Sequence, residues 1–190
     1  MAPQSRLVRG HHKALPWTEA PAFMTILRQR SEESARCLEF IILTAARSGE
    51  ALGATWGEID LSRKLWTVPA GRMKAGAEHS VPLSDAAVAL LQSTIPTSPP
   101  TANAKVFAVK GTTRSNMMIA MLLRRMSYGH VTTHGFRSTF RDWAGDATSF
   151  PREIIEQALA HTIQNKAERA YRRGTALERR REVMDAWAEY

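Results

Sequence analysis

Six residues spread along the chain have the side chains needed to break a phosphodiester through a covalent intermediate. They are Arg47, Lys74, His134, Arg137, His161 and Tyr171. Negative charge grows on the phosphodiester in the transition state, so two guanidinium groups can hold its non-bridging oxygens while a phenol attacks phosphorus. An ammonium can then supply a proton to the leaving 5′ oxygen. This chemistry needs neither a metal ion nor another cofactor.

These residues occur in short motifs that resemble, in order and spacing, the catalytic domain of the tyrosine recombinases, also called phage integrases. Arg47 lies in ARSGE, Lys74 in RMK, His134 and Arg137 in His-x-x-Arg, His161 in LAH, and Tyr171 in AYRR. The resemblance extends from about residue 11 to the end of the chain. It is greatest to integrases of prophages and genomic islands, which have a similar Trp-Ala-x-Tyr tail.

The resemblance implies a mainly α-helical domain with a small antiparallel β-hairpin or sheet, an α+β fold. It also implies site-specific cleavage and rejoining of DNA in integration or excision, through a 3′-phosphotyrosyl bond to Tyr171. Lys74 is then the general acid, and His134 or His161 accepts or relays the phenol proton. The expected partner is double-stranded DNA at attachment sites. The full-length protein is expected to form a homotetramer on DNA, and this chain alone to be mostly monomeric.

An excess of basic residues predicts a polyanionic partner. The 190 residues include 26 Lys and Arg against 18 Asp and Glu, and the pI is near 10.2. The net charge of +8 favours binding to nucleic acid. The candidate DNA-binding residues are Arg72, Arg169, Arg172 and Arg173.

Composition also excludes several classes of protein. No apolar run approaches the ~20 residues that cross a bilayer, and the first residues lack the apolar stretch of a signal peptide. We therefore expect a cytosolic protein, with no membrane partner. The single cysteine, Cys37, excludes a disulfide framework and a cysteine-type zinc site, and we expect it in the core.

The chain is predicted to consist of a short arm, residues 1–16, and one catalytic domain, residues 17–190. Pro3, Gly10 and Pro16 interrupt the arm, which has no hydrophobic periodicity. Members of the family normally carry separate DNA-binding domains ahead of the catalytic domain. These domains are absent from this sequence, so the resemblance implies a catalytic fragment or a minimal form.

Arg47 is predicted to lie at a junction between two helices. Ser31 begins a helix with apolar residues at i, i+3 and i+4 spacing, and Ser48 is predicted to cap the short helix that follows. A long side chain at such a junction can reach a cleft. Glu50 lies close enough to orient or neutralise Arg47.

Lys74 is predicted to lie at the tip or edge of a β-hairpin. Strands at 65–68 and 79–83 flank the turn 74–77. A hairpin suits a group that must reach DNA. Arg72 is the competing candidate for the same role.

His134 and Arg137 are predicted to share the first turn of a helix capped by Thr133. The free N–H groups and the positive end of the helix dipole favour phosphate at that point. Pro151 opens the next helix, and His161 closes it.

Two further helices are predicted to contribute apolar side chains. The helix at 115–127 carries residues predicted to fill the core, namely Met117, Met118, Met121, Leu122 and Met126. The last helix, from about 175 to 187, presents Leu177, Met184 and Trp187 on one side. Such a stripe must be buried, and without DNA we expect it to fold on its own domain or to be mobile.

Two other functions are consistent with parts of this pattern. A type IB topoisomerase uses a similar set of residues to nick and reseal one duplex, but usually lacks the histidine found here as His134. A non-catalytic DNA-binding module would use the basic surface alone. The presence of Arg47, Arg137 and Tyr171 counts against such a module.

Overall fold

The computed structural model describes residues 13–107, 116–161 and 175–190. Within these ranges the chain forms eight α-helices and one small sheet, which confirms the predicted fold class. The helices are α1 (Ala20–Arg28), α2 (Glu33–Thr44), α3 (Ser48–Gly53), α4 (Asp85–Thr94), α5 (Asn116–Arg125), α6 (Gly135–Ala147), α7 (Arg152–Ala158) and α8 (Thr175–Glu189). None of the described helices is long and apolar enough to cross a membrane.

The sheet has three antiparallel strands in the order β1-β2-β3. They are β1 (Ile59–Asp60), β2 (Leu65–Val68) and β3 (His79–Pro82), with Trp66 opposite Val81 in the central pair. The sequence predicted β2 and β3, which are long enough to show the alternation of a half-buried strand. It did not predict β1, because two residues are too few to show that period.

Helix α2 lies at the centre of the domain, and ten of its 12 residues are buried. A helix with so few exposed residues has neighbours on nearly every side. The ring of Phe40 lies 5.1 Å from that of Trp66 and 5.3 Å from that of Phe107. Cys37 is fully buried on the same helix, as predicted, and burial raises the pKa of its thiol to about 12. Its thiol is therefore a small core group.

The residues just before α1 pack against the start of α6. Leu15 is buried, and its carbonyl accepts a 2.6 Å hydrogen bond from the Thr139 hydroxyl. The Lys13 carbonyl accepts a 2.9 Å hydrogen bond from the Thr132 N–H. A Cβ on Gly135 would overlap that same carbonyl, so only glycine allows this approach. The folded unit therefore includes residues ahead of position 17.

The core residues predicted for helix α5 are confirmed in part, since Leu122 is fully buried and Met126, just after the helix, is 6% exposed. Met117 and Met121 are 68% and 49% exposed, so the prediction that they fill the core was wrong. The buried face of this helix follows the i, i+3, i+4 spacing of Ile119, Leu122 and Leu123. Met117 and Met121 lie on the other side of that helix. Methionine gives little guidance here, because its flexible side chain suits irregular environments.

Helix α8 completes the core of its own domain. Val183, Met184 and Trp187 are buried, and Trp187 Nε1 donates a 2.8 Å hydrogen bond to the Ile42 carbonyl. The Trp187 ring lies 5.0 Å from Trp143, within the range of favourable aromatic pairs. The apolar stripe predicted for the tail is thus covered within this chain.

Candidate active site

Arg47 connects α2 to α3 and is the N-cap residue of α3. The Glu50 carboxylate accepts a 3.0 Å hydrogen bond from the Arg47 N–H and a 2.8 Å hydrogen bond from Arg47 Nη1. The predicted contact between these two residues is therefore confirmed. The cap predicted at Ser48 was wrong, because Ser48 is the first helical residue. The Glu50 side chain satisfies the free N–H at this helix end instead.

Arg137 lies in the first turn of α6 and is only 5% exposed. Its Nη1 donates to the carbonyl of Ala45, and its Nη2 donates a 2.5 Å hydrogen bond to the carbonyl of Leu159. Both acceptors directly follow helices, α2 and α7 respectively. The guanidinium is thus held in one orientation by the ends of two helices.

The same helix ends hold Arg47. Its Nη2 donates a 3.3 Å hydrogen bond to the carbonyl of Ala160. Ala45 and Ala160 have φ angles of 49° and 50°, which turn the chain at the two helix ends. The last carbonyls of a helix lack intrahelical partners and carry its negative end, so cations are favoured there. The carbonyls of Ala45, Leu159 and Ala160 form what we call the carbonyl cradle of the two arginines.

His161 completes the cluster. Its Nε2 lies 3.3 Å from Arg137 Nη2, and its Nδ1 lies 2.5 Å from Glu156 Oε2. These partners assign the proton to Nδ1 in the neutral ring and the lone pair to Nε2. The other Glu156 oxygen lies 2.9 Å from Arg141 Nη2, but without the angles of a hydrogen bond. Glu156 therefore orients the imidazole, as carboxylates do beside functional histidines.

The charges of the two arginines act on each other. Burial lowers the pKa of Arg137 to about 10, and the nearby charge of Arg47 acts in the same direction. Both causes still leave the Arg137 guanidinium charged at neutral pH. Glu50 and Glu156 offset part of the repulsion between these two cations, and an anion bound beside both guanidinium groups reduces it further. The cluster is therefore suited to a phosphate.

His134 is exposed at the amino end of α6, next to the predicted phosphate position. The helix begins at Gly135, one residue later than predicted. The hydroxyl that accepts the Gly135 N–H, at 3.0 Å, belongs to Thr132, so the cap predicted at Thr133 was wrong. Thr133 is buried, and its hydroxyl does not serve as the cap.

Lys74 is exposed in the turn between β2 and β3, where the sequence predicted it. Arg72, the competing candidate, has its guanidinium directed into the protein. It donates a 2.8 Å hydrogen bond to the Glu50 carbonyl and forms an ion pair with Glu58. Lys74 is thus the more accessible cation of the two.

Four predicted residues lie outside the described residues. They are Tyr171, Arg169, Arg172 and Arg173. The nucleophilic role of Tyr171 and the DNA contacts of the three arginines therefore stay predictions.

Two residues of this region were not identified from the sequence. Glu156 precedes His161 by five positions, and an acid near the end of a helix gives no distinct signal by itself. His79 begins β3 and hydrogen-bonds the backbone of Ala158. Burial, together with the charges of Arg180 and Arg47, lowers the pKa of His79 to about 4. These effects come from residues distant in sequence.

The low pKa of His79 predicts a loss of stability in acid. The unfolded chain binds a proton at this histidine below about pH 6.5, whereas the folded chain does so only below about pH 4. Stability therefore falls as the pH is lowered between those values. Between pH 7.5 and pH 5 the expected contribution is about 2 kcal/mol.

His79→Gln removes the titrating group and keeps an N–H that can reach the same carbonyl. We expect urea unfolding to show a smaller loss of stability from pH 7.5 to pH 5 in this variant than in the parent. His130→Gln, at an exposed histidine, is the control and should retain the pH dependence of the parent. An identical pH dependence in all three proteins would rule out His79 as the cause.

Comparison with known proteins identifies relatives in one family. Residues 13–177 match the model of the phage integrase family. The prophage integrase IntA of Escherichia coli (strain K12) is 38% identical over 179 residues, covering 90% of this chain and 42% of that protein. The integrase of Enterobacteria phage P4 is 31% identical over 203 residues, covering 95% of this chain and 45% of that protein. The chain thus spans less than half the length of these relatives.

Two solved structures share the fold. The integrase of the Tn1549 transposon, in complex with transposon right end DNA, has a TM-score of 0.65 at 14% identity, covering 95% of this chain and 68% of that chain. The XerA recombinase has a TM-score of 0.60 at 17% identity, covering 97% of this chain and 61% of that chain. At such identities the similarity establishes a common architecture.

Proposed function

The chain belongs to the phage integrase family, and from this premise we propose that it contains the catalytic centre of a site-specific tyrosine recombinase. It cleaves a DNA strand through a phosphotyrosyl bond and rejoins it to another strand during integration or excision of a mobile element. The observation that carries the proposal is the meeting of Arg47, Arg137 and His161, which come from three separate parts of the sequence.

The first step transfers a phosphoryl group from DNA to the protein. The oxygen of Tyr171 attacks phosphorus, the bond between phosphorus and the 5′ oxygen breaks, and a 3′-phosphotyrosyl ester forms. The phenol proton passes to His134 or His161, and Lys74 donates a proton to the leaving oxygen. Attack by the 5′ hydroxyl of another strand reverses these transfers and restores Tyr171. The energy of the broken bond is retained in the phosphotyrosyl ester, so the proposed reaction uses neither ATP nor a metal ion.

The two arginines stabilise the charge that develops on the phosphate. Their guanidinium groups are oriented before DNA binds, by the carbonyl cradle and by Glu50. Donors that are already oriented need no rearrangement during the reaction, and this is the main source of their effect on rate. His161 is held beside Arg137 by Glu156 and adds a polar group at the same point.

The burial of these arginines distinguishes the proposal from a non-catalytic DNA-binding module. The side chain of Arg47 is 24% exposed, and Arg137 is 5% exposed. A surface that attracts a polyanion by charge alone is served by exposed cations. Burying and orienting a guanidinium has a desolvation cost that such a role does not require. A topoisomerase is not favoured, because the named relatives are integrases.

The proposal extends to the partners of the protein. Double-stranded DNA is the substrate, and the reaction takes place in the bacterial cytosol, where that DNA lies. A homotetramer on DNA remains the assembly expected of the full-length protein. Helix α8 is packed within its own domain, which is consistent with a monomer before DNA is bound.

A suicide substrate tests the proposed function directly. A nicked duplex from the ends of the encoding element releases a short fragment on cleavage and so traps the covalent intermediate. We expect an adduct that resists denaturant and forms equally well in EDTA. Failure of the parent chain to form an adduct on any such duplex would overturn the proposal.

Lys74→Ala should slow cleavage of ordinary DNA by on the order of 10²-fold or more. The same variant should cleave a duplex with sulfur in place of the 5′ bridging oxygen at nearly the parent rate, because a thiolate leaves without being protonated. Single-turnover rates of adduct formation on the two duplexes measure the difference. Equal slowing on both duplexes would remove Lys74 from the general-acid role.

A further inference from the structure

Arg72 ties the segment that carries Lys74 to helix α3. It is the last residue of a short helical turn, Ala70–Arg72, that follows β2. Its Nη1 donates a 2.8 Å hydrogen bond to the Glu50 carbonyl on α3. Its Nη2 forms an ion pair with Glu58, whose carboxylate also accepts a 3.0 Å hydrogen bond from Trp66 Nε1.

Gly53 provides the surface on which this guanidinium lies. A Cβ on Gly53 would overlap Arg72 Nη1. The side chain of Arg72 is 25% exposed and that of Glu58 is 13% exposed. The ion pair is therefore shielded in part from solvent. A partly shielded pair interacts more strongly than a pair at an open surface.

The next residue strengthens the same anchor. Met73 is 7% exposed and belongs to the core, while its carbonyl accepts a 3.0 Å hydrogen bond from the Gly76 N–H. Two consecutive residues are thus held immediately before Lys74. Helix α3, to which Arg72 is attached, begins directly after Arg47. The contacts of Arg72 therefore link the position of Lys74 to that of the arginine cluster.

We propose that Arg72 is a positioning residue for Lys74 and not a contact to DNA. The inference depends on the proposed role of Lys74 as the general acid. Arg72 fixes the backbone just before Lys74 relative to Arg47, so the ammonium meets the 5′ oxygen of a phosphate held by the arginines. Misplacement of a catalytic group by about 1 Å can cost up to 10²-fold in rate.

Gly53→Ala is the most selective test, because it changes neither Arg72 nor Lys74. The new methyl group displaces the end of a flexible side chain and leaves backbone contacts intact. Gly49→Ala is the matched control, on the same helix, where a Cβ meets nothing within 4 Å. Arg72→Met is the second variant, since it keeps most of the side-chain volume and removes the ion pair.

The expected result is slower cleavage of ordinary DNA by Gly53→Ala and Arg72→Met, by roughly 10-fold to 10²-fold. Both variants should recover on the duplex with sulfur at the 5′ bridging position, as Lys74→Ala does. The Arg72→Met effect should also disappear when Lys74→Ala is already present. If Arg72 contacts a phosphate instead, both duplexes are slowed alike and the log–log salt slope of binding decreases by about 0.9.

Hydrogen exchange tests the same inference without DNA. The Gly76 amide reports on the turn that carries Lys74, because it donates to Met73. We expect this amide to exchange faster in Gly53→Ala and Arg72→Met than in Gly49→Ala. Unchanged exchange would overturn the positioning role even if the parent cleaves DNA. If the parent forms no adduct but the Gly76 amide still exchanges faster in the two variants, the proposed function is refuted. The structural connection from Arg72 to the turn that carries Lys74 is then still supported.

Discussion

Tyr171→Phe should abolish the covalent adduct with a suicide substrate while leaving DNA binding largely intact. The substitution removes the attacking oxygen and almost no volume, so no phosphotyrosyl ester can form. The chain has three tyrosines, and the two that lie among the described residues, Tyr128 and Tyr190, both pack against aromatic rings. Tyr128 meets Phe23 edge-on at 4.8 Å, and Tyr190 stacks on Trp187 at 6.1 Å. Tyr171 is the remaining phenol.

Tyr128→Phe and Tyr190→Phe are the matched controls for this result. Each removes one hydroxyl, and each should retain adduct formation. Electrophoresis of denatured protein with labelled DNA separates the outcomes, and a mobility-shift assay measures binding. Persistence of the adduct in Tyr171→Phe, or its loss in Tyr190→Phe, would assign the nucleophile to another tyrosine.

Arg137→Lys should slow adduct formation by on the order of 10²-fold or more, alike on ordinary DNA and on the sulfur-substituted duplex. Lysine keeps the charge but loses the planar fork that holds two acceptors at once. It cannot donate to the Ala45 and Leu159 carbonyls and to a phosphate with the same geometry. Because arginine acts on the phosphate and not on the leaving group, sulfur does not restore the rate.

The same substitution should lower the stability of the protein. Hydrogen bonds from a charged group to buried carbonyls contribute about 1.5 to 3 kcal/mol each, and lysine can replace at most one of the two, so we expect a loss of at least about 1.5 to 3 kcal/mol. Rates are therefore compared at a temperature where circular dichroism shows the variant to be folded. Arg124→Lys, at an exposed arginine of α5, is the control. If the folded Arg137→Lys protein forms the adduct at the parent rate, Arg137 does not stabilise the phosphate.

Local interactions explain which elements could be predicted. The β2–β3 hairpin has alternating strands around a turn that contains glycine, and these features act within a few residues of each other. Ser84 caps α4 through an equally local contact, because its hydroxyl accepts the Ala87 N–H at 3.3 Å. The caps predicted at Ser48 and Thr133 were wrong, because competing groups were present. Glu50 and Thr132 satisfy those helix ends instead.

The side chains that orient the site could not be predicted in the same way. Glu50 was expected near Arg47, since three residues separate them in the sequence. Glu156 was not identified, because its role depends on where α7 ends relative to α6. Arg72 was predicted as a candidate DNA contact, because it is a basic residue close to Lys74. The sequence does not indicate that it forms an ion pair with a distant carboxylate. Its actual partner, Glu58, lies 14 positions away.

The sequence by itself determined the residue types of the proposed chemistry, their order and the family to which the chain belongs. These properties depend on the identity and spacing of residues, and both can be read directly from the sequence. The tertiary structure decided which of those residues meet and how each is held. Arg47 and Arg137 are oriented by carbonyls at the ends of α2 and α7, separated from them by up to 113 positions. Every residue has a backbone carbonyl, so the sequence does not indicate which carbonyls will accept from these arginines. Helix packing decides this, because it places the unpaired carbonyls of a helix end beside a particular side chain.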